Sequence, residues 1–174
     1  MANPTALILG GANTLEADFD AALKLFQPDL LIACNHAGRD HPDRIDHWAT
    51  MHPELFPKWI EARGAAGLPP AGQLWHAKHR ISTVDSKPLQ CWGGSSGLLC
   101  VTLACDLGCA KIVLAGVPMR QNACHYDNRR IWTEARQYWP AWEASVAKMA
   151  GRVRSMSGWT AELLGRPTGD WLDD

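Results

Sequence analysis

The chain has 174 residues, with 17 basic and 18 acidic side chains, a formal net charge of −1 and a hydrophobic content of 47%. That length suits one domain with a substantial core, residues 1–174, and the near-neutral charge excludes a protein held on nucleic acid or a membrane surface by bulk electrostatics. No apolar run approaches the roughly 20 residues that cross a bilayer, and the start M-A-N-P-T lacks a basic stretch followed by an apolar one, so a cytoplasmic protein without membrane contact is expected.

Residues 5–9, T-A-L-I-L, form an apolar run that reads as a buried strand ending at Gly10 and Gly11. Asn13 and Thr14 then start a helix through Phe26, with Leu15, Phe19, Ala22, Leu23 and Phe26 on the buried face. Glu16, Asp18, Asp20 and Lys24 are expected to face water. The turn G-G-A-N-T is not the full G-x-G-x-x-G fingerprint, so no NAD or FAD site is read from it. Residues 30–34, L-L-I-A-C, make a second buried strand, which stops at Asn35-His36-Ala37-Gly38. In open parallel sheets ligands sit beyond the carboxyl ends of the strands, which makes Asn35 a candidate for contacting a base or sugar, or else an amide that ties down its loop.

His36, His41, His47 and His52 fall close together, but not at the spacings of H-E-x-x-H or a Cys/His finger, so no metal centre is inferred. Residues 48–51 suggest a third strand that would deliver His52 to the same ligand zone, and Pro53 opens a helix to about residue 63. Residues 73–76 suggest a short fourth strand. Residues 77–90 are polar and read as a loop or irregular strand, with 87–91 a poor strand.

The segment W-G-G-S-S-G-L-L-C-V-T-L-A-C-D-L-G-C-A-K-I-V-L-A-G-V-P-M, residues 92–119, supplies a turn, a helix, a stop and a strand in unbroken order. Gly93 and Gly94 relieve backbone sterics, Ser95 or Ser96 can cap free N–H groups, and Gly97 keeps the first turn open to something bulky. The helix over 97–107 is apolar nearly all round and should be sandwiched, Gly108 ends it, and K-I-V-L-A, residues 111–115, is a strand buried on both faces and closed by Gly116. A helix that starts in small residues can hold a phosphate or carboxylate, so the turns at Gly10–Asn13 and Gly94–Gly97 together form a candidate phosphate site. G-G-S-S-G also fits G-x-S-x-G, with Ser95 as nucleophile, but no His follows His125, where a hydrolase of that type needs one after its acid.

After Met119 the residues up to 130 form a polar loop carrying His125 at a strand's carboxyl end. A helix is expected over 132–149, a short strand over 153–156, and a helix capped by Ser157. The six Cys read as reduced, mostly buried thiols rather than a disulfide framework or a paired zinc site. Five of the nine Trp lie in the last quarter, as packing anchors or as a surface for homo-oligomer formation. Alternating strands and helices predict a three-layer α/β domain with a mainly parallel sheet, without internal repeat or linker.

The order strand, G-G-x-N, helix, strand, Asn, strand, x-H-P, S-S-G, helix, L-G, strand, Gly resembles the Rossmann-like superfamily that holds the 6-hydroxymethylpterin diphosphokinase MptE-like proteins and the bacterial sialyltransferases. Residues 95–97 through Gly116 look like that superfamily's S-S-G to I-x-L-x-G segment, and Asn35 matches its second-strand Asn. The sequence has G-A-N-T where the superfamily often has G-P-S-L, and V-P-M where an acidic residue commonly follows the last Gly, so Pro118 stands where the superfamily's sugar- or metal-contacting acid would and does not supply it. The tail R-V-R-S-M-S-G-W-T resembles small uncharacterised phage and prophage proteins.

The resemblance implies a transferase acting on a nucleotide-linked donor, with glycosyl transfer first and pyrophosphoryl transfer second. A nucleotide or nucleotide-sugar is the expected partner; no tightly bound cofactor is expected, although a divalent cation could accompany the donor. His125 is the expected acid or base, because an imidazole with its ordinary pKa near about 6.5 suits proton transfer at neutral pH, and His52 is its competitor. The missing acid after Gly116 leaves open a module that binds a nucleotide without turnover.

Overall fold

The computed structural model describes residues 3–127 and 130–174. Seven strands form one sheet: β1 (Thr5–Leu9), β2 (Leu30–Cys34), β3 (His47–Thr50), β4 (Gln73–Ala77), β5 (Lys87–Leu89), β6 (Lys111–Ala115) and β9 (Val153–Ser155). Their order is β5-β4-β3-β2-β1-β6-β9, and every pairing in this sheet is parallel. A three-layer α/β fold with a parallel sheet is therefore what the sequence builds. The short strands β7 (Ala123–Cys124) and β8 (Ile131–Trp132) form a separate antiparallel pair.

Side-chain alternation along the strands divides the core in two. Ala6, Ile8, Ile32, Cys34, Ile112 and Leu114 face one layer, which holds α4 (Ser96–Asp106), Trp142 of α5 (Ala135–Met149) and Leu164 of α6 (Gly158–Leu164). Leu7, Leu9, Ala33, Trp48, Val113 and Ala115 face the other, with Ala22 of α1 (Leu15–Leu25) and Phe56 and Trp59 of α3 (Phe56–Ala65). The apolar helix α4 is buried almost along its whole length, as a helix without a polar face must be. Gly108, at φ +78°, ends it.

Four expectations need correction. Asp18 does not face water: it is 8% exposed, and its carboxylate accepts hydrogen bonds from the Gly116 N–H at 3.0 Å and the Ser157 hydroxyl at 2.6 Å. Residues 87–89 do form a strand, β5, which tolerates Pro88 because it pairs only with β4 at the sheet edge. Residues 35–38, expected only as the stop after the second strand, lead into the short helix α2 (His36–Asp40). The helix expected from 132 begins instead at Ala135, because Ile131 and Trp132 are drawn into the pairing with Cys124 and Ala123. Of the polar loop after Met119, residues 128 and 129 lie outside the described residues.

The chain runs outward from β1 to β5, then returns through α4 to place β6 on the other side of β1. The β1 and β6 carboxyl ends thus diverge into opposite halves of the sheet, the switch point at which open α/β sheets form a crevice.

Candidate functional site

A cleft of about 510 Å³ opens at that switch point. Its floor is made by the loop residues Gly10, Gly11 and Ala12 after β1, Cys34 and Asn35 after β2, and Gly116, Val117, Pro118 and Met119 after β6. Gly94, Ser95, Ser96 and Gly97 at the start of α4 also line it, as do His36 and His52. Cys124 and His125 of the loop after β6, Trp132, Glu134 and Tyr138 complete the lining, and Tyr138 stands against the α4 start, where a β-carbon on Gly94 would lie 3.3 Å from its ring. All but one of the sequence-selected residues therefore meet at one cleft.

The exception is Asn13. It is exposed and lies outside the cleft lining, and its backbone N–H donates to the Cys124 carbonyl at 2.9 Å. The Ala12 N–H likewise donates to the Gly116 carbonyl at 3.1 Å. The first turn thus spends these donors on holding the β6 loop and the 123–125 segment. Ser157, the expected cap of α6, similarly turns its hydroxyl to Asp18.

The start of α4 is arranged differently. Ser95 Oγ accepts the Leu98 N–H at 3.3 Å, a capping bond, and the Trp142 indole N–H at 3.1 Å, while Ser96 Oγ accepts the Met51 N–H at 3.1 Å. Both serines are buried and anchor the turn, and Ser95 follows the strand β5 only after a loop, which is the geometry of a cap rather than of a nucleophile elbow. Gly97 is small for a reason the sequence did not show: a β-carbon there would stand 3.0 Å from Val117 Cγ1 and 3.5 Å from the Trp142 ring. It gives room to protein packing, so bulk at this position disturbs the cleft floor as well as any ligand.

Gly116 is held at φ +68°, where a β-carbon would also press into Leu15. With its N–H bound to Asp18, this glycine sets the path of Val117 and Pro118 under the cleft. Asn35 carries φ 51° and ψ −124°, an uncommon backbone state for a residue with a side chain. The state is fixed from several sides: Asn35 Oδ1 accepts from the Thr50 hydroxyl at 2.7 Å, and its carbonyl accepts from the Trp48 indole at 2.8 Å. The amide is thereby oriented, with Nδ2 as the end that Thr50 does not hold.

His125 pairs with Ala12 in an isolated antiparallel bridge, and the Tyr126 N–H donates to the Gly11 carbonyl at 3.1 Å. The catalytic candidate is thus pinned to the β1 turn by backbone bonds. Around it the loop is fastened to α2: the Tyr126 hydroxyl donates to Asp40 at 2.8 Å, Arg39 donates twice to Asp40 at 2.5 and 2.6 Å, and Arg39 reaches Asp127 at 3.5 Å. Burial, together with the bond to Asp40, pushes the Tyr126 phenol well up, so it stays a donor. His52 is the more exposed histidine, with Nδ1 3.4 Å from Glu54 Oε1.

Sequence reasoning passed over His36 as a site residue, although it follows Asn35 directly. Its ring packs edge-on against Trp59 at 5.1 Å, and Nδ1 lies 3.9 Å from Asp127. Burial holds its pKa below the ordinary imidazole value despite the carboxylate, and a charge on His125 pushes it the same way. Trp132, Glu134 and Tyr138 were also missed, because 132–149 reads as one packing helix. Among the described residues, no group of three or more His, Cys, Asp or Glu is placed to hold a metal ion, and no helix is long and apolar enough to cross a membrane.

No protein-family model matches the chain, and no curated protein is similar to it in sequence. Its fold is similar to solved structures of a bacterial sialyltransferase. One is the sialyltransferase CstII from Campylobacter jejuni in complex with a substrate analogue, cytidine-5'-monophosphate, at TM-score 0.67 and 11% identity, covering 97% of this chain and 87% of that one. The other is the sialyltransferase CST-II in complex with a trisaccharide acceptor and CMP, at TM-score 0.68 and 9% identity, covering 95% and 87%. At such identities the likeness is one of fold: this chain shares a Rossmann-like α/β architecture with those structures.

Proposed function

We propose that this protein is a transferase that moves a sugar from a nucleotide-linked donor to an acceptor hydroxyl. The observation that carries the reading is the meeting of His125 with the α4 start, Asn35 and Gly116 in one cleft at the β1/β6 switch point, on a fold shared with nucleotide-bound sialyltransferases. The donor phosphate would lie against residues 94–97, where a helix start offers N–H groups and a partial positive charge. The Asn35 amide, held by Thr50, would contact the base or the sugar. In the reaction the acceptor oxygen bonds to the anomeric carbon, the bond from that carbon to the phosphate oxygen breaks, and the nucleotide leaves with the electron pair. His125 takes the proton of the acceptor hydroxyl.

Pyrophosphoryl transfer would use the same phosphate-holding turn. The glycosyl reading is preferred because the similar structures carry CMP and a saccharide acceptor. A binding module without turnover is the second reading, favoured by Pro118 where an acidic residue is expected. Calorimetric titration with CMP, UMP, AMP and GMP tests the donor site. Saturable binding of a nucleotide, lost on substitution of Asn35 by Ala, is expected; no binding of any of the four would count against it.

A further inference from the structure

The β7–β8 hairpin turns one face to the cleft. Ala123 pairs with Trp132 and Cys124 with Ile131, and the His125 N–H donates to the Arg130 carbonyl at 3.0 Å, so His125 stands opposite Arg130. Side chains alternate along paired strands, which puts Ala123, His125, Arg130 and Trp132 on one face and Ile131 on the other. The first four line the cleft, whereas Ile131 is 57% exposed. Trp132 is half-buried and stacks on Tyr138, with ring centroids 5.9 Å apart and planes inclined by 23°, and Tyr138 in turn stands against Gly94 at the α4 start. Tyr138 is the only ring that the indole meets among the described residues.

Residues 94–97, the proposed phosphate-holding turn, carry no charged side chain, and among the described residues lining the cleft Arg130 alone has a permanent positive charge. Its guanidinium lies 3.7 Å from Glu134 Oε1, with the Arg130 side chain 72% exposed. An exposed pair of this kind contributes little, so Arg130 can turn to a better-matched anion at small cost. A phosphate is such an anion, because two of its oxygens fit the guanidinium fork. Arg130 and Trp132 are next-but-one neighbours on one face, about 6.5 Å apart along the strand, a spacing of the order of that between the phosphate and the base of one nucleotide. Resting on the transferase reading above, we infer that Arg130 and Trp132 grip the donor nucleotide, Arg130 by its phosphate and Trp132 by the face of its base. Stacking reads a π-face that every base has, so the site accepts purine and pyrimidine nucleotides alike, and the Asn35 amide is left to the sugar. A neutral ligand would leave the cation unused, and an anion without an aromatic ring would leave the indole unused.

Ligand-detected NMR titration of the full chain with CMP, AMP and ribose 5-phosphate separates the two contacts. CMP and AMP should bind within about tenfold of each other. Trp132→Leu, which keeps apolar bulk but removes the ring system, should weaken both by about tenfold or more and leave ribose 5-phosphate unchanged, and Trp132→Phe should restore part of the loss. Arg130→Gln should weaken all three probes by about tenfold, and Arg130→Lys should restore part of that. Ile131→Ala, on the outer face, should change none of them. Nucleotide affinity unchanged in either Trp132→Leu or Arg130→Gln would overturn the grip while the donor site stands. So would a CMP affinity more than about 100-fold above that of AMP, which stacking alone does not produce. Equal loss of ribose 5-phosphate and CMP in Trp132→Leu would overturn it as well, because that marks a collapsed wall rather than lost stacking. If neither nucleotide binds the parent protein, the transferase reading falls and the grip falls with it.

Discussion

The imidazole of His125 stands directly over Gly11: a β-carbon on that glycine would lie 3.5 Å from Nδ1 and 4.0 Å from Cε1. The first figure is an ordinary van der Waals contact, so the ring rests on the β1 turn without strain. Gly11→Ala should keep the fold and most of the function, whereas Gly11→Leu should push the ring out of place. Circular dichroism and turnover measured on both variants check this. Equal turnover in the two would mean that the ring does not depend on the Gly11 surface.

Asp18 ties three segments together, accepting from the Gly116 N–H and the Ser157 hydroxyl while sitting on α1. Asp18→Ala would leave a buried N–H without a partner, at a cost of about 1–3 kcal/mol. Urea unfolding should register a loss in that range, and ligand affinity should fall with it because Gly116 lines the cleft. A variant as stable as the parent would refute the role given to Asp18.

His36, His41, His47 and His76 all have pKa values lowered by burial. Below the ordinary imidazole value the unfolded chain therefore binds more protons than the folded one, and stability must fall as pH drops through that window. Melting temperatures should decline from about pH 7 toward pH 5, starting near the unfolded imidazole pKa of about 6.5. Ring-proton titration should place these four groups below that value. A flat or rising stability on acidification would contradict the assignment.

Much of the frame was legible because its signal is local. The runs at 5–9, 30–34 and 111–115 are buried on both faces and read as such, and the helix at 96–106 declares itself by its lack of a polar face. What was not legible depends on partners distant in sequence. Asp18 falls on the polar side of a helical pattern, yet its partners are 98 and 139 residues away. Pro88 argues against a strand until the strand is known to be an edge, and α2 is too short and polar to show a period. In the cleft, Asn35, His52, His125 and the α4 start were found because they follow strands or open a helix. Asn13 was misplaced because a side chain suited to a helix start does not reveal that its N–H is already promised to Cys124. Trp132, Glu134 and Tyr138 stayed hidden because composition assigns such residues to packing.

The central claim is that this cleft transfers a sugar from a nucleotide with His125 as the base, and release of CMP from a CMP-linked sugar with lactose as acceptor tests it most directly. The parent protein should release CMP faster with acceptor than without. His125→Ala should lower the rate by about 100-fold or more while CMP affinity changes little, the usual share of general acid–base catalysis. Full activity in His125→Ala together with its loss in His52→Ala would move the base to His52. CMP binding without release under any of these conditions, joined by loss of CMP affinity in His125→Ala, would contradict the transferase and leave a nucleotide-binding module.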